Sequence, residues 1–553
     1  MSKKRNLVEE LLERHCLITP ESYEILEDLD DDVLDVDRLA EALKDEIVVT
    51  PDKLQAALKS FEDILSEGEI SPPTPDITVG VDKAPLASQE LLPSDGTKPE
   101  AIKIDPSSIK SPKHSKPKVE EIFEDSKPKE FLPIGKQVSS QVRVLADSTA
   151  RTTLDEDIFD NFSQFFHSRF KQMTRILRSR GDISGSITLA SLDKARLEKN
   201  EEIALIAMVT EKRPLKNGTI LLTLEDLTGR ITGTISSKNQ ELILKTGSLL
   251  EDQVAGFFGY FYNDRFIIKD FILPDIPLRH NTKSVTDPIS VCMTSDLHIG
   301  SAEFLEDAFN NLIDFLKGHI VDPYQKSLAQ EIKYLIIAGD IVDGVGVYPK
   351  QQEDLVIDDI YEQYAHAAKL FKKIPKWVQI ILISGNHDAC RLALPQPAIP
   401  KKFAPELWEM PNVKILSNPT TIELHGKTFL IYHGNSFEDI SSLTPGLNMN
   451  EPNGPMIQAL RCRHLAPTFG RRSSLVPSKQ DELVIEKVPD VFHTGHIHIN
   501  SHTSYRGVEC VNSGTFQSQT EYMETRNINP TPGRVPILNL QTNKLSQLVF
   551  YDE

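Results

Sequence analysis

The chain has 553 residues, 39% of them apolar, with 61 Lys+Arg against 81 Asp+Glu for a formal charge of -20. That length suits two to four domains instead of one core, and the charge argues against a protein that grips nucleic acid by surface cations alone. No run of about 18 apolar residues occurs, the basic start MSKKRN lacks an apolar core, and Cys16, Cys292, Cys390, Cys462 and Cys510 form no CxxC pair. Neither a membrane span, a secretory signal nor a disulfide scaffold is expected, and a cytoplasmic location follows.

Residues 1–67 read as a small helical module. Leu7, Leu11, Leu12 and Ile18, then Leu39, Leu43 and Ile47, recur near helical spacing, and Thr50-Pro51 looks like an N-cap followed by proline at the first helical position. Residues 1–70 hold 8 basic and 20 acidic side chains, a net of -12, leaving -8 for the other 483. The acidic run Glu27 to Asp37 is either a solvated loop or a docking surface for a partner. Over residues 68–140, eleven prolines between Pro72 and Pro133 mix with Ser and Lys, the composition of a disordered linker that buries too little apolar surface to offset its ordering entropy.

A helical connector is expected over 150–200, with Ile158, Phe162, Phe165, Phe166, Phe170, Ile176 and Leu177 as the apolar face of a helix at about 157–180. Residues 201–280 change period to five strand-like runs, with the helical segment KNQELILKTG between the third and fourth. This order resembles an OB-fold barrel. Phe257, Phe258, Tyr260, Phe261 and Tyr262 are either core or base-stacking aromatics, and the segment carries no excess of positive charge.

Residues 288–553 contain five apolar runs, each ending in a polar cluster. Ile289–Thr294 leads into Asp296 and His298, and Tyr334–Ala338 into Gly339-Asp340 with Asp343. Ile380–Ser384 leads into Gly385-Asn386-His387-Asp388, Phe429–Tyr432 into His433-Gly434, and Val491–His493 into Gly495-His496-Ile497-His498. Residues just past the carboxyl ends of α/β strands converge in one crevice. Glu303–Lys317 and Gln351–Phe371 have helical patterns that would cover the sheet. Carboxylate, amide and imidazole donors without thiolate suit a site for two divalent ions, Mn or Mg for activity with Fe or Zn also compatible. Asp296 and His298 are expected on one side of an extended segment, and the glycines at 339, 385 and 495 permit sharp turns and close approach.

The motifs DxH, GDxxD, GNHD, HG and GHxH in this order resemble the calcineurin-like metallophosphoesterase family. The resemblance implies a two-sheet sandwich flanked by helices. It implies Asp296, His298 and His498 on a first metal, Asp340 bridging, and Asn386, His433 and His496 on a second. It also implies His387 as the residue that contacts phosphate and protonates the leaving oxygen, oriented by Asp343, with Asp388 a competing candidate for that orientation.

The whole arrangement of module, linker, barrel and phosphoesterase is similar to the small-subunit family of the archaeal D-family DNA polymerases. That likeness implies a 3′–5′ proofreading exonuclease, DNA with single-stranded or mismatched 3′ ends as substrate, and a large polymerase subunit as partner. The B-subunits of eukaryotic replicative polymerases share the OB–phosphoesterase pair but have lost metal ligands, whereas every expected ligand is present here. A metal-bearing scaffold and a phosphatase or small phosphodiesterase are the alternatives; the lack of an arginine directly after Asp343 weakens the phosphatase. Arg461, Arg463, Arg471 and Arg472 are read either as holders of a DNA backbone or as solvated loop charges.

Overall fold

The computed structural model describes residues 17–18, 48–49, 131–149, 158–192, 201–262, 265–278, 280 and 282–551. The rest of the expected helical module, the Thr50-Pro51 helix start and the linker up to residue 130 lie outside the described residues. The chain divides into two units, Met1–Val119 and Glu120–Glu553. In the first, β1 (Leu17–Ile18) pairs in parallel with β2 (Val48–Val49), so Ile18 lies in a strand where a helix is predicted.

The second unit opens earlier than the expected linker boundary. A helical turn, Ile134–Gln137, packs Gly135 so tightly on Ile332 that a Cβ there would collide with its carbonyl oxygen. β3 (Val142–Asp147) follows, then the long helix Ile158–Arg178. Next come β4 (Ile203–Pro214), β5 (Ile220–Asp226), β6 (Gly229–Ile235), β7 (Val254–Tyr262) and β8 (Arg265–Ile272), which close a barrel in the order β4-β5-β6-β8-β7. Alternation along the strands sends Leu205, Leu222, Leu224, Phe257, Phe266 and Phe271 into the barrel core. β6 and β8 pair in parallel, with helix Gln240–Lys245 carrying the chain toward β7 between them. Of the five aromatics in β7, Phe257 is core, Tyr262 is exposed and the other three are half-buried.

The remaining strands are β9 (Ser290–Thr294), β10 (Ile332–Ala338), β11 (Gln379–Ile383), β12 (Val413–Leu416), β13 (Thr420–Leu424), β14 (Lys427–Ile431), β15 (Val491–Thr494), β16 (Asn500–Tyr505), β17 (Val508–Ser513), β18 (Arg534–Asn539) and β19 (Leu545–Val549). They form two six-stranded sheets, β12-β11-β10-β9-β18-β19 and β16-β17-β15-β14-β13-β3. Val291, Met293, Ile336 and Ile381 from one sheet pack on Ile422, Phe429, Ile431 and Val491 from the other. β9–β11 and β14–β15 are buried on both faces, which is why they read as unbroken apolar runs. Helices Glu306–Lys317 and Ile360–Phe371 cover the outer face of the first sheet, and Asn453–Cys462 that of the second. The predicted helix Gln351–Phe371 is broken: a turn at Gln351–Asp354 ends where Val356 and Ile357 N–H donate to the Gly300 carbonyl (2.8 and 3.1 Å).

β3 precedes the barrel in sequence yet pairs antiparallel with β13, so the barrel is inserted within the chain of the sandwich. The Ile158–Arg178 helix joins the two: Phe165 enters the sandwich-side core, while Met173 and Leu177 pack on barrel residues Ile206, Met208 and Val254. Between them the fully buried Arg169 donates to Asp481 (2.7 Å) and to the Pro467 carbonyl (2.7 Å). Asp481 also accepts from buried His464 (2.8 Å). Burial opposes the Asp481 charge, but His464 and Arg169 outweigh it and hold its carboxyl far below the usual range. Removing the anion strands a buried guanidinium, so Asp481→Ala should lose about 3–5 kcal/mol in urea unfolding followed by circular dichroism. Because the folded-state pKa of Asp481 is depressed, its contribution is complete above the unfolded value and is lost as pH falls through the folded one; the mutant–wild-type gap should shrink in strong acid.

Candidate metal centre

The parallel strands β9, β10 and β11 of one sheet and β14 and β15 of the other end at a common crevice, and every predicted ligand stands just past one of these ends. Ligating atoms of Asp296, His298 and His498 lie within 4.8 Å of one another, as do those of Asp340, His433 and His496. Asn386 joins the second group, its Oδ1 3.0 Å from His433 Nε2, and Asp340 Oδ2 lies 3.1 Å from His433 Nε2 and 3.9 Å from His298 Nε2, between the two groups.

The turns that gather these side chains are sharper than an extended segment. Asp296 (φ 50°), His298 (φ 52°), Asp340 (φ 50°), His496 (φ 72°) and His498 (φ 63°) all adopt the left-handed region, costly for residues with a Cβ and concentrated where function needs a fixed geometry. Close approach is enforced by glycine: a Cβ on Gly385 would strike Asp340 Oδ1, and one on Gly495 would strike Asp296 Oδ2.

Imidazole tautomers follow from their second nitrogen. His433 Nδ1–H donates to the Ala338 carbonyl (2.8 Å) and His298 Nδ1–H to Asp343 Oδ1 (2.9 Å), so both present Nε2 to the centre. His298 Nε2 then faces His498 Nε2 at 3.1 Å, two ring nitrogens converging beside the Asp296 carboxylate at 3.4 Å. The buried Nδ1 of His498 has no partner among the described residues. Burial lowers the proton affinity of His298 and pushes His496 to about 3. At His433 burial also opposes charge, but the Asp340 carboxylate dominates and raises its pKa to about 9. Asp340 itself stays ionised: burial alone would push its carboxyl up, and the fields of His433 and His387 hold it well below the usual range. Buried, ionised Asp296, Asp340 and Asp343 outnumber the one imidazole whose proton affinity is raised, His433, and an oxygen-and-nitrogen donor set of this kind fits two divalent ions.

His387 meets Asp343 chiefly through the backbone of that residue. Its Nδ1 donates to the backbone carbonyl of Asp343 (2.7 Å), while the Asp343 carboxylate is 3.9 Å away. That carboxylate serves His298, and its other oxygen accepts from Gln351 (2.7 Å). The Asp388 carboxylate is engaged elsewhere; it accepts the N–H of Gly385 (2.9 Å) and the hydroxyl of Tyr364 (2.9 Å), with burial and the Asp340 charge pushing its carboxyl to about 7.

The four arginines are engaged within the fold. Arg463 is buried and donates to the carbonyls of Ile485 (2.7 Å), Glu486 (2.6 Å) and Asp275 (3.4 Å), so it clamps a loop and is withdrawn from any phosphate. Arg471 pairs with Glu251 (3.0 Å), Arg472 with Glu438, and half-buried Arg461 reaches Gln458 (3.4 Å). Residues that sequence reasoning missed line the mouth: Val347, Tyr348, Gln517, Thr520, Tyr522, Met523 and Ile528 share a cavity of about 260 Å³ with His298, Asp340, Asn386, His387, His496 and His498.

A family profile describing the B-subunits of DNA polymerases alpha and epsilon matches residues 291–503. The DNA polymerase II small subunit of Methanothermobacter thermautotrophicus is 40% identical over 433 residues, covering 77% of this chain and 88% of the relative. The chain belongs to the DNA polymerase II small subunit family. The Archaeoglobus fulgidus member is 39% identical over 414 residues (74% of this chain, 81% of the relative), and the Pyrococcus furiosus member 39% over 399 (72% and 64%). A small subunit implies a large catalytic partner. A solved archaeal phosphodiesterase shares 13% identity with a TM-score of 0.24, covering 47% of this chain and 99% of its own, a likeness too distant to bear on the chemistry. Among the described residues no helix is long and apolar enough to cross a membrane.

Because Asp343 sets the His298 ring from behind, Asp343→Ala should weaken Mn²⁺ binding by about ten- to hundredfold in isothermal titration calorimetry. Unchanged affinity would show that the ring is held without it.

Proposed function

We propose that this small subunit is a metal-dependent 3′–5′ exonuclease that removes single-stranded or mismatched 3′ nucleotides of DNA beside the large polymerase subunit. The observation that carries the reading is the complete donor set at one crevice, Asp296, His298, Asp340, Asn386, His433, His496 and His498, with His387 on its rim. Divalent ions held there supply Lewis-acid polarisation of phosphoryl oxygens and an acidified water. Mn or Mg serves this role, and Fe or Zn is compatible with the same donors.

The protein's own contribution is positioning. Asp343 and Ala338 carbonyl or carboxylate oxygens fix the tautomers of His298, His387 and His433. With Nδ1 of His387 tied to a carbonyl, Nε2 is the ring atom left for the departing sugar oxygen, to which it donates a proton. The His387 backbone N–H, donating to Asp340 Oδ1 (2.8 Å), keeps that ring in register with the Asp340 carboxylate, which would hold the ions. We read the five-stranded barrel as an OB-fold that holds the subunit to its partner or to DNA, since its topology is closed and its charge not basic.

A 3′-mismatched primer incubated with the two-subunit complex and Mn²⁺ or Mg²⁺ tests the proposal. His387→Ala should slow nucleotide release by about 10²–10⁴-fold while Mn²⁺ binding persists. Equal release by mutant and wild type, or none from either, would sink the exonuclease; faster phosphate release from monoesters than DNA cleavage would favour a phosphatase.

A further inference from the structure

The cavity over the metal centre has two chemically distinct ends. One is the ligand cluster with His387; the other is made by Val347, Tyr348, Tyr522, Met523 and Ile528. The Tyr348 and Tyr522 rings lie 6.4 Å apart between centroids and only 26° from parallel, and Tyr348 stands 6.3 Å from the His387 ring. Both rings are anchored. Tyr348 OH donates to Asp354 (3.0 Å), and the Arg526 guanidinium sits 4.8 Å from the Tyr522 ring while pairing with Glu438 at 2.7 Å. Tyr522 remains 52% exposed, an unusual amount for an aromatic beside a buried polar cluster. Among the described residues Tyr522 makes no hydrogen bond or ring contact with a ligand of the centre, and half of its surface stays open at the cavity wall.

We propose that the Tyr348–Tyr522 pair is the seat of the terminal nucleobase, and that it selects unpaired 3′ ends. This rests on the exonuclease reading and adds the source of its specificity. A nucleotide whose phosphate lies at the ligand cluster carries its base one sugar away, toward the apolar end. Stacking on an aromatic face tolerates any base, because every base has a π-face. A paired terminal base must first leave its partner and neighbour, and that cost is least for a mismatched or single-stranded one. The cavity measures about 260 Å³, and the two rings form part of its wall beside His387.

Tyr522 is a positioning residue, so the test separates stacking from chemistry. Single-stranded oligonucleotides ending in a normal or an abasic 3′ nucleotide are given to the two-subunit complex with Mn²⁺. Wild type should prefer the base-bearing end by about tenfold in kcat/KM, mainly through KM. Tyr522→Ala should erase that preference and Tyr522→Phe should keep it. In parallel, an oligonucleotide with 3′-terminal 2-aminopurine is bound with Ca²⁺ in place of Mn²⁺; its fluorescence should be quenched by wild type and Tyr522→Phe but not by Tyr522→Ala. A preference or a quench that survives Tyr522→Ala overturns the proposal. Should wild type cleave neither end, the exonuclease reading falls, and the fluorescence still decides whether the base stacks.

Discussion

Asp340 is the contact through which the site is assembled. Its backbone carbonyl accepts the N–H groups of Leu297 and His298 (2.8 and 3.2 Å), locking the loop after β9 to the loop after β10. Its carboxylate accepts the N–H of His387 (2.8 Å), which sets the loop after β11, and meets His433 (3.1 Å) from the second sheet. One left-handed residue thus registers four loops, and the glycine at 385 is what lets the third come close enough. Because the carboxylate is buried and ionised, its compensation must come from the imidazoles around it or from a cation among them.

That geometry is strained and is borne by the rigidity beneath it. Five ligand residues in the left-handed region cost of order 1–3 kcal/mol each. The strands that end in those loops have no exposed residue, and each buried Val, Leu, Ile or Phe contributes about 1.5–3 kcal/mol. The same packing fixes where each strand stops, so the loops begin from defined points. Second contacts to Ala338 and Asp343 then hold the rings, Gln351 steadies the Asp343 carboxylate in turn, and Ala338 and Asp343 lie at or just past the end of β10. Stability and positioning are therefore properties of the same residues.

Much of this was legible because it is local. A strand buried on both faces announces itself as an apolar run, and a ligand cluster two or three residues past its end follows from the same stretch of chain, as at Asp296, Asp340 and His433. What escaped depends on distant pairing. β3 joins β13 across 270 residues or more of intervening chain, and its own six residues, VRVLAD, say nothing of which strand they pair with. Asp343 lies three residues from Asp340 in sequence, yet its carboxylate is spent on His298, 45 residues upstream, and only its carbonyl reaches His387. Arg169 is a charged side chain on an amphipathic helix, and its burial is accounted for only by Asp481, 312 positions away. Arg463 met the same fate through the carbonyls of Ile485 and Glu486.

The arginines bear on how an acidic chain meets an anionic ligand. In the loop between the fourth and fifth motifs Arg463 is buried on backbone carbonyls while Arg471 and Arg472 pair with carboxylates, so they add little free positive charge at the mouth. The crevice itself holds ionised Asp296, Asp340 and Asp343, whose field disfavours a phosphodiester and favours divalent cations. Two such ions bring about +4 to a site whose three ionised carboxylates outnumber the His433 charge, inverting its sign locally. Affinity for phosphate is then linked to metal occupancy, and by reciprocity phosphate tightens the metals. The overall charge of -20 matters little at this range, since exposed charges beyond a Debye length of about 8 Å are screened while buried ones are not. The centre works as an anion site only through what it binds first.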